Sequence, residues 1–282
     1  MSIDLHMHSC CSDGTCTPEE LVGLAAKLKL SAIALTDHDT AEGFERAATV
    51  GREYGIEVIP GVELSTHWKG KDVHLLGYLF DAAEPGFVEG LKWIQGGRET
   101  RNEEIAVKLR ALGYDITLDE VRENAGAAGM VGRPHFARVL QARGIVSSLE
   151  EAFATLLGAD KPAYVSRRSL GVAEAIAMIH RAGGLAVVAH PFTLGYTPLE
   201  LHYEVGLMHD VGLDGLEVIY PKHSRQFRRQ LRRLVKEFDL IATGGSDYHG
   251  NNRPGTSLAG GKNMVPDEVL VNLRERWKVR LQ

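Results

Sequence analysis

Seven short apolar runs, most of them followed by a stretch of helical periodicity, limit what this 282-residue chain can become more than any other feature. They read as strands at 3–7, 32–36, 57–62, 73–79, 185–189, 215–219 and 240–243. Helix starts are legible as well: Thr17 can serve as an N-cap, Pro18 as the first helical residue and Glu20 as the return partner of a capping box. Such alternation of strand and helix favours a parallel α/β barrel. The rhythm breaks between 98 and 168, where 105–109, 117–121 and 136–140 read as helices with no strand between them. We therefore expect a barrel built from 1–97 and 169–282, with an all-α insertion at 98–168 capping the site at its C-terminal end.

Charge and cysteine content narrow the function classes. Thirty-two Lys and Arg against 37 Asp and Glu give a formal net charge of −5, so no global positive field recruits nucleic acid or an anionic membrane. An anionic ligand must be captured locally. Cys10, Cys11 and Cys16 are bunched near one end, which fits a reduced, cytoplasmic protein better than a disulfide framework. There is no basic-then-apolar leader and no run of 18 apolar residues, so neither secretion nor a membrane span is expected. Nothing in the sequence points to an obligate protein partner.

The chemistry lies at the strand ends. Asp4, His6 and His8 alternate with Ile3, Leu5 and Met7, and side chains two apart on a strand share a face. A lone His-x-His is weak evidence, but metal-type ligands recur: Thr36-Asp37-His38-Asp39 after the second strand, Glu63 after the third, His74 on the fourth, Ala189-His190-Pro191 after the fifth and Gly245-Ser246-Asp247-Tyr248-His249 after the last. Catalytic groups of α/β barrels come from several strand ends, so these positions should converge. Taken singly, His38 and His249 could be loop residues, His190 a satisfied core histidine, Glu63 a surface carboxylate and Asp247 a helix cap; their coincidence is what argues for a site. Imidazoles and carboxylates without a cysteine pair suit Mn, Fe or Zn in a hydrolytic centre more than a structural zinc. Cys10 and Cys11 read as loop-packing residues.

The segments Asp4-Leu5-His6-Met7-His8-Ser9 with Asp13, Thr36-Asp37-His38-Asp39, Gly61-Val62-Glu63, His74, Ala189-His190-Pro191 and Gly245-Ser246-Asp247-Tyr248-His249 resemble the motifs of the PHP (polymerase and histidinol phosphatase) family. That resemblance implies a distorted seven-stranded (β/α) barrel holding two or three divalent metals, Mn first. It implies one metal on His6, His8, Glu63 and Asp247, a second on Glu63, His74 and His190 with Glu63 bridging, and Asp13, His38 and His249 either on a third metal or directly on phosphate.

Within the insertion, Arg98-Glu99-Thr100-Arg101-Asn102 and Gly132-Arg133-Pro134-His135-Phe136 are similar to segments of PHP enzymes that remove the 3'-phosphate from nucleoside 3',5'-bisphosphates. The resemblance assigns substrate contacts to Arg98, Glu99, Thr100, Arg101, Asn102, Arg133, Pro134 and His135. Independently, an arginine fork suits phosphate oxygens, although solvated arginines on an exposed helix are the alternative. His223, after the sixth strand, could contact substrate or protonate a leaving group, or only cap and support. Arg225, Arg228, Arg229, Arg232 and Arg233 form a basic helix that could touch RNA, with a solvated face favoured by the overall negative charge.

The resulting expectation is a nucleotide-binding, metal-dependent phosphatase that converts adenosine 3',5'-bisphosphate to AMP and phosphate. The alternatives are a 5'-to-3' exoribonuclease on short RNA, a histidinol phosphate phosphatase, and a noncatalytic metal-binding PHP module.

Overall fold

The computed structural model describes residues 2–125, 131–166, 168–259 and 264–282. The strands are β1 (Ser2–Met7), β2 (Leu30–Leu35), β3 (Glu57–Trp68), β4 (Lys71–Tyr78), β5 (Leu170–Gly171), β6 (Leu185–Val188), β7 (Gly215–Ile219), β8 (Ile241–Gly244) and β9 (Val265–Pro266). Seven of them form a curved sheet in the order β8-β7-β6-β4-β3-β2-β1, with β9 beside β1 and β5 on β3. The ends of this sheet meet where Asp247 N–H donates to His6 C=O at 2.8 Å and His8 N–H donates to Tyr248 C=O at 2.9 Å. The result is the expected α/β fold, a nearly closed barrel.

It is not wholly parallel. β4 runs antiparallel to both β3 and β6. The cause is local: β3 and β4 are longer than their apolar runs and are joined across Lys69 and Gly70, both at positive φ (48° and 81°). A two-residue link of this kind closes only an antiparallel hairpin, because a parallel return needs a crossover.

The helix Pro18–Lys27 begins with the expected capping box, Thr17 Oγ1 accepting from Glu20 N–H and Glu20 accepting from Thr17 N–H. A 27-residue helix, Pro85–Ala111, is the main bridge out of the barrel. Its first half inserts Phe87, Leu91 and Ile94 into the barrel's outer core, and its second half inserts Ile105, Ala106 and Leu109 into a separate cluster with Val121, Phe136, Leu140 and Leu157. The insertion thus has a core of its own, and the helix passes through Arg98 without a break. The rest of this helical body comprises Leu118–Ala125, Arg133–Ala142, Leu149–Ala152 and a π-turn at Phe153–Leu157. Gly97 is required midway along the long helix, since a Cβ there would lie 2.9 Å from Arg168 Cβ.

Candidate metal centre and active site

Loops at one end of the barrel bring the strand-end residues together. Glu63 is the hub. Its Oε1 lies 2.7 Å from His74 Nδ1 and 2.8 Å from His190 Nε2, and its Oε2 lies 3.2 Å from His6 Nε2, 3.1 Å from His8 Nε2 and 3.4 Å from His38 Nδ1. The two oxygens thus face two groups of imidazoles, as a bridging carboxylate must. Asp247 Oδ1 stands 3.4 Å from His8 Nε2 and 3.3 Å from His249 Nδ1. Asp13 Oδ1 is 3.3 Å from His249 Nε2 and 3.8 Å from His8 Nδ1.

Three sets keep their donor atoms within 4.8 Å of one another: His6, His8, Glu63 and Asp247; His38, Glu63 and His74; and His8, Asp13, His38 and His249. His8 and His38 each take part in two of these sets, Glu63 joins two as a bridging ligand would, and His190 meets the cluster through Glu63 Oε1.

The donors fit divalent cations on a structural criterion. Both nitrogens of His8, His38 Nδ1 and Asp13 Oδ1 are buried without a hydrogen-bond partner. Buried polar atoms are rarely left so. Electrostatics agree. Burial opposes charge on Glu63 and Asp13, yet the surrounding imidazoles outweigh it and hold both carboxyls well below the usual range. Burial likewise opposes a charged His6, but Glu217 and Glu63 on either side raise its pKa to about 10, whereas burial, with His249 alongside, takes His8 down to about 4. Glu63 and Asp13 are thus held in the ionised form that a cation ligand needs.

Backbone geometry fixes these side chains. Asp39, His190 and Asp247 are non-glycine residues in the left-handed region (φ 53°, 30° and 55°), a conformation that costs on the order of 1–3 kcal/mol each. Gly245 is demanded by close approach, since a Cβ there would lie 2.3 Å from His6 Cβ. Glu217 orients two imidazole-bearing residues at once: Oε1 pairs with His6 Nδ1 at 2.9 Å and Oε2 accepts from His190 N–H at 2.6 Å. Tyr220 donates to Asp247 Oδ2 at 2.9 Å, and Arg253 pairs with the same oxygen. Burial pushes the Tyr220 phenol up to about 12, so it remains a donor.

The cleft over this cluster has two halves that share His38, His74 and Arg253. One, of about 250 Å³, lies against the helical body and carries Arg98, Arg101 and Arg133 opposite Asp13, His38 and His249. Arg98 is 7% exposed and donates to Asp39 Oδ2 at 2.6 Å and Ser65 Oγ at 3.0 Å; Arg101, 4% exposed, donates to Asn102 Oδ1 at 2.8 Å. Arg133 stacks over Tyr164 and Phe153 at 5.5 and 6.0 Å. The other half, about 300 Å³, is lined by Asp72, Phe192, Thr193, Tyr220 and Lys222.

Of the sequence-predicted substrate contacts, Arg98, Arg101, Arg133 and Pro134 line the first half. The others do not line it. Glu99 pairs with Arg122, Thr100 is exposed on a separate groove, and Asn102 and His135 are buried supports, bonded to Val131 C=O and Gly132 N–H. His223 is 4% exposed, lines neither half and packs beneath Phe192 and Tyr220 with Nδ1 on Val218 C=O, an arrangement that matches the supporting alternative, while its Nε2 is buried without a hydrogen-bond partner. Cys10, Cys11 and Cys16 are free thiols and belong to none of the three sets.

Glu217, Tyr220 and Arg253 escaped the sequence reading. Glu217 had a weak signal, a carboxylate within a buried strand, but its partner His6 is 211 positions away.

A hydrolytic metal centre at the mouth of an α/β barrel defines a metal-dependent phosphoesterase when the chain also matches a phosphoesterase family, and it does: the PHP domain model matches residues 4–157. The chain belongs to the PHP family. It is 39% identical over 246 residues to the 5'-3' exoribonuclease of Haemophilus influenzae, covering 87% of this chain and 89% of the relative. It is 34% identical over 270 residues to the 3',5'-nucleoside bisphosphate phosphatase of Chromobacterium violaceum, covering 94% and 93%. A crystal structure from Bifidobacterium adolescentis, assigned as a metal-dependent phosphoesterase, superposes with a TM-score of 0.87 at 31% identity over 97% of this chain and 96% of that one. The described residues contain no helix long and apolar enough to cross a membrane.

Proposed function

We propose that the enzyme removes the 3'-phosphate from nucleoside 3',5'-bisphosphates, adenosine 3',5'-bisphosphate first among them, giving AMP and phosphate. The observation that carries this reading is the arginine-lined half-cleft beside the donor cluster: a substrate with a second phosphate needs two anion sites side by side. His6, His8, Glu63 and Asp247 would hold one cation, and Glu63, His74 and His190 a second. Asp13, His38 and His249 face the phosphoryl group directly or through a third. Manganese is our first assignment, with iron or zinc as alternatives, because the donors are imidazole and carboxylate without thiolate. Bound there, such cations supply Lewis acidity at the phosphoryl oxygens and make water nucleophilic near neutral pH.

In the reaction the oxygen of water bonds to phosphorus, the P–O3' bond breaks and O3' takes a proton. Arg98, Arg101 and Arg133 hold the 5'-phosphate, and the helical body shields that side of the cleft from bulk water. Tyr220 and Arg253 fix the Asp247 carboxylate, leaving Oδ1 turned toward the imidazoles. We place the enzyme in the cytoplasm, in keeping with its three free thiols.

The test is phosphate release from Mn-reconstituted protein with nucleoside bisphosphates, nucleoside monophosphates, histidinol phosphate and short 5'-phosphorylated RNA. Arg133→Ala should cost about 1.5–3 kcal/mol in kcat/KM on adenosine 3',5'-bisphosphate and almost nothing on adenosine 3'-phosphate. Equal losses on both substrates would reduce Arg133 to a structural residue and remove the main support for a bisphosphate.

A second reading, 5'-to-3' exoribonuclease, is favoured by the other half of the cleft. Release of a 5'-nucleotide from RNA breaks the same P–O3' bond, but the phosphate then carries the next nucleotide, which needs room on the side away from the arginines. Phe192, Tyr220 and Lys222 line such a space, and aromatic faces with a cation suit single-stranded RNA.

A further inference from the structure

The exposed arginines of the helix Arg225–Glu237 have no part in the site described above. Arg225, Arg229, Arg232 and Arg233, with Lys236, recur at helical spacing along one face, while Phe227, Leu231, Leu234 and Val235 on the opposite face pack into the barrel's outer core. The four arginines are exposed, and none of them forms an ion pair among the described residues. Elsewhere Arg46, Arg122, Arg143, Arg274 and Arg276 pair with Glu19, Glu99, Glu120, Glu57 and Asp239, while the exposed Arg52, Arg110 and Arg181 form no ion pair among the described residues but stand apart from one another in the sequence. The only carboxylate of this helix, Glu237 at its last position, is engaged by His202. In a chain of net charge −5, what sets this helix apart is that five uncompensated cationic side chains are gathered on one face.

Its position gives it a use. The helix starts three residues after Lys222, which lines the aromatic half of the cleft, and Arg228 Nη2 donates to Tyr220 C=O at 2.7 Å, tying the first turn of the helix to the cleft lip. From Arg225 to Lys236 the stripe runs about 16 Å at 1.5 Å per residue. That is the length of four or five stacked nucleotides at about 3.4 Å each. With the 5'-phosphate on the arginines of the helical body and the scissile phosphate at the donor cluster, the downstream strand must leave past Phe192 and Tyr220, toward this helix.

We infer that the exposed face of Arg225–Glu237 is a track for the phosphates of single-stranded RNA downstream of the scissile bond. The inference rests on the exoribonuclease reading. It makes the helix irrelevant to a bisphosphate, which has nothing beyond its 3'-phosphate.

The experiment compares wild type with the pairs Arg225→Ala/Arg229→Ala and Arg232→Ala/Arg233→Ala, none of which lines the cleft. KM for a 5'-phosphorylated RNA octamer should rise about tenfold, and kcat/KM for adenosine 3',5'-bisphosphate should stay within about twofold. Binding of a hydrolysis-resistant phosphorothioate octamer, followed by fluorescence anisotropy, should weaken in parallel. The slope of log affinity against log salt should shrink by roughly 0.7 for each phosphate that an arginine no longer neutralises. Octamer binding equal to wild type in both variants would overturn the track, as would equal losses on octamer and bisphosphate. Wild type that binds the octamer through these arginines but never cleaves it would overturn the exoribonuclease reading and leave the track standing. Wild type that neither binds nor cleaves the octamer would overturn both.

Discussion

Glu63, on the barrel rim, is surrounded by five imidazoles within 3.4 Å, whereas Arg133, in the helical body, is held by two aromatic rings and a carbonyl oxygen at 3.4 Å. The rim also stores backbone strain at Asp39, His190 and Asp247, while across the described residues of 98–168 the only non-glycine residue at positive φ is Asp160. The rim spends conformational energy to preorganise charge, and its geometry tolerates little change. The helical body is made of relaxed helices around a small core, and it presents arginines to the ligand without defining the chemistry. Change at the rim should therefore abolish turnover, and change in the body should redistribute it among substrates.

Asp247→Asn is the strongest way to break this contrast. A neutral amide is a poor cation ligand, so turnover should fall by about 10³-fold, together with metal content by elemental analysis. Full turnover in a variant shown to have lost metal would mean that the rim is not the reacting centre. Arg98→Ala cuts the ion pair that joins the long helix to the loop after β2 and takes away the guanidinium that balances the buried Asp39 carboxylate. Breaking such a pair costs about 3 kcal/mol, visible as a lower denaturation midpoint. An unchanged midpoint would show that body and rim are coupled through apolar packing alone. Glu217→Gln keeps the shape of the side chain that orients His6 and His190 but removes its charge. Metal affinity should weaken about tenfold with the fold intact, measured by competition with a chelator dye. No change would demote Glu217 to a packing residue.

The rim was legible because its residues sit at the ends of apolar runs, where both the strand and its following ligand are local features. Each of the seven runs became a strand, and the three helical patterns between 98 and 168 became helices. What stayed hidden depends on distance or on polar strands. Residues 64–68 continue β3 as Leu-Ser-Thr-His-Trp, whose polar members masked the strand and with it the hairpin that reverses β4. Arg253 is one of many arginines until the fold puts it on Asp247. Glu99 and Thr100 lie beside Arg98 and Arg101 in sequence, but steps of about 100° per residue around a helix turn them elsewhere.

The helix Pro85–Ala111 carries Arg98 and Arg101 between two cores that each grip one of its ends. Losing or gaining a single residue in its middle would rotate the downstream half by about 100°, swinging one core's apolar residues into water and both arginines out of register with the rim. Changes of three or four residues, close to a whole turn, would keep the phase. Length variation among descendants of this chain is thereby confined at this helix to whole turns, while the loops between the body's other helices are free to grow or shrink residue by residue.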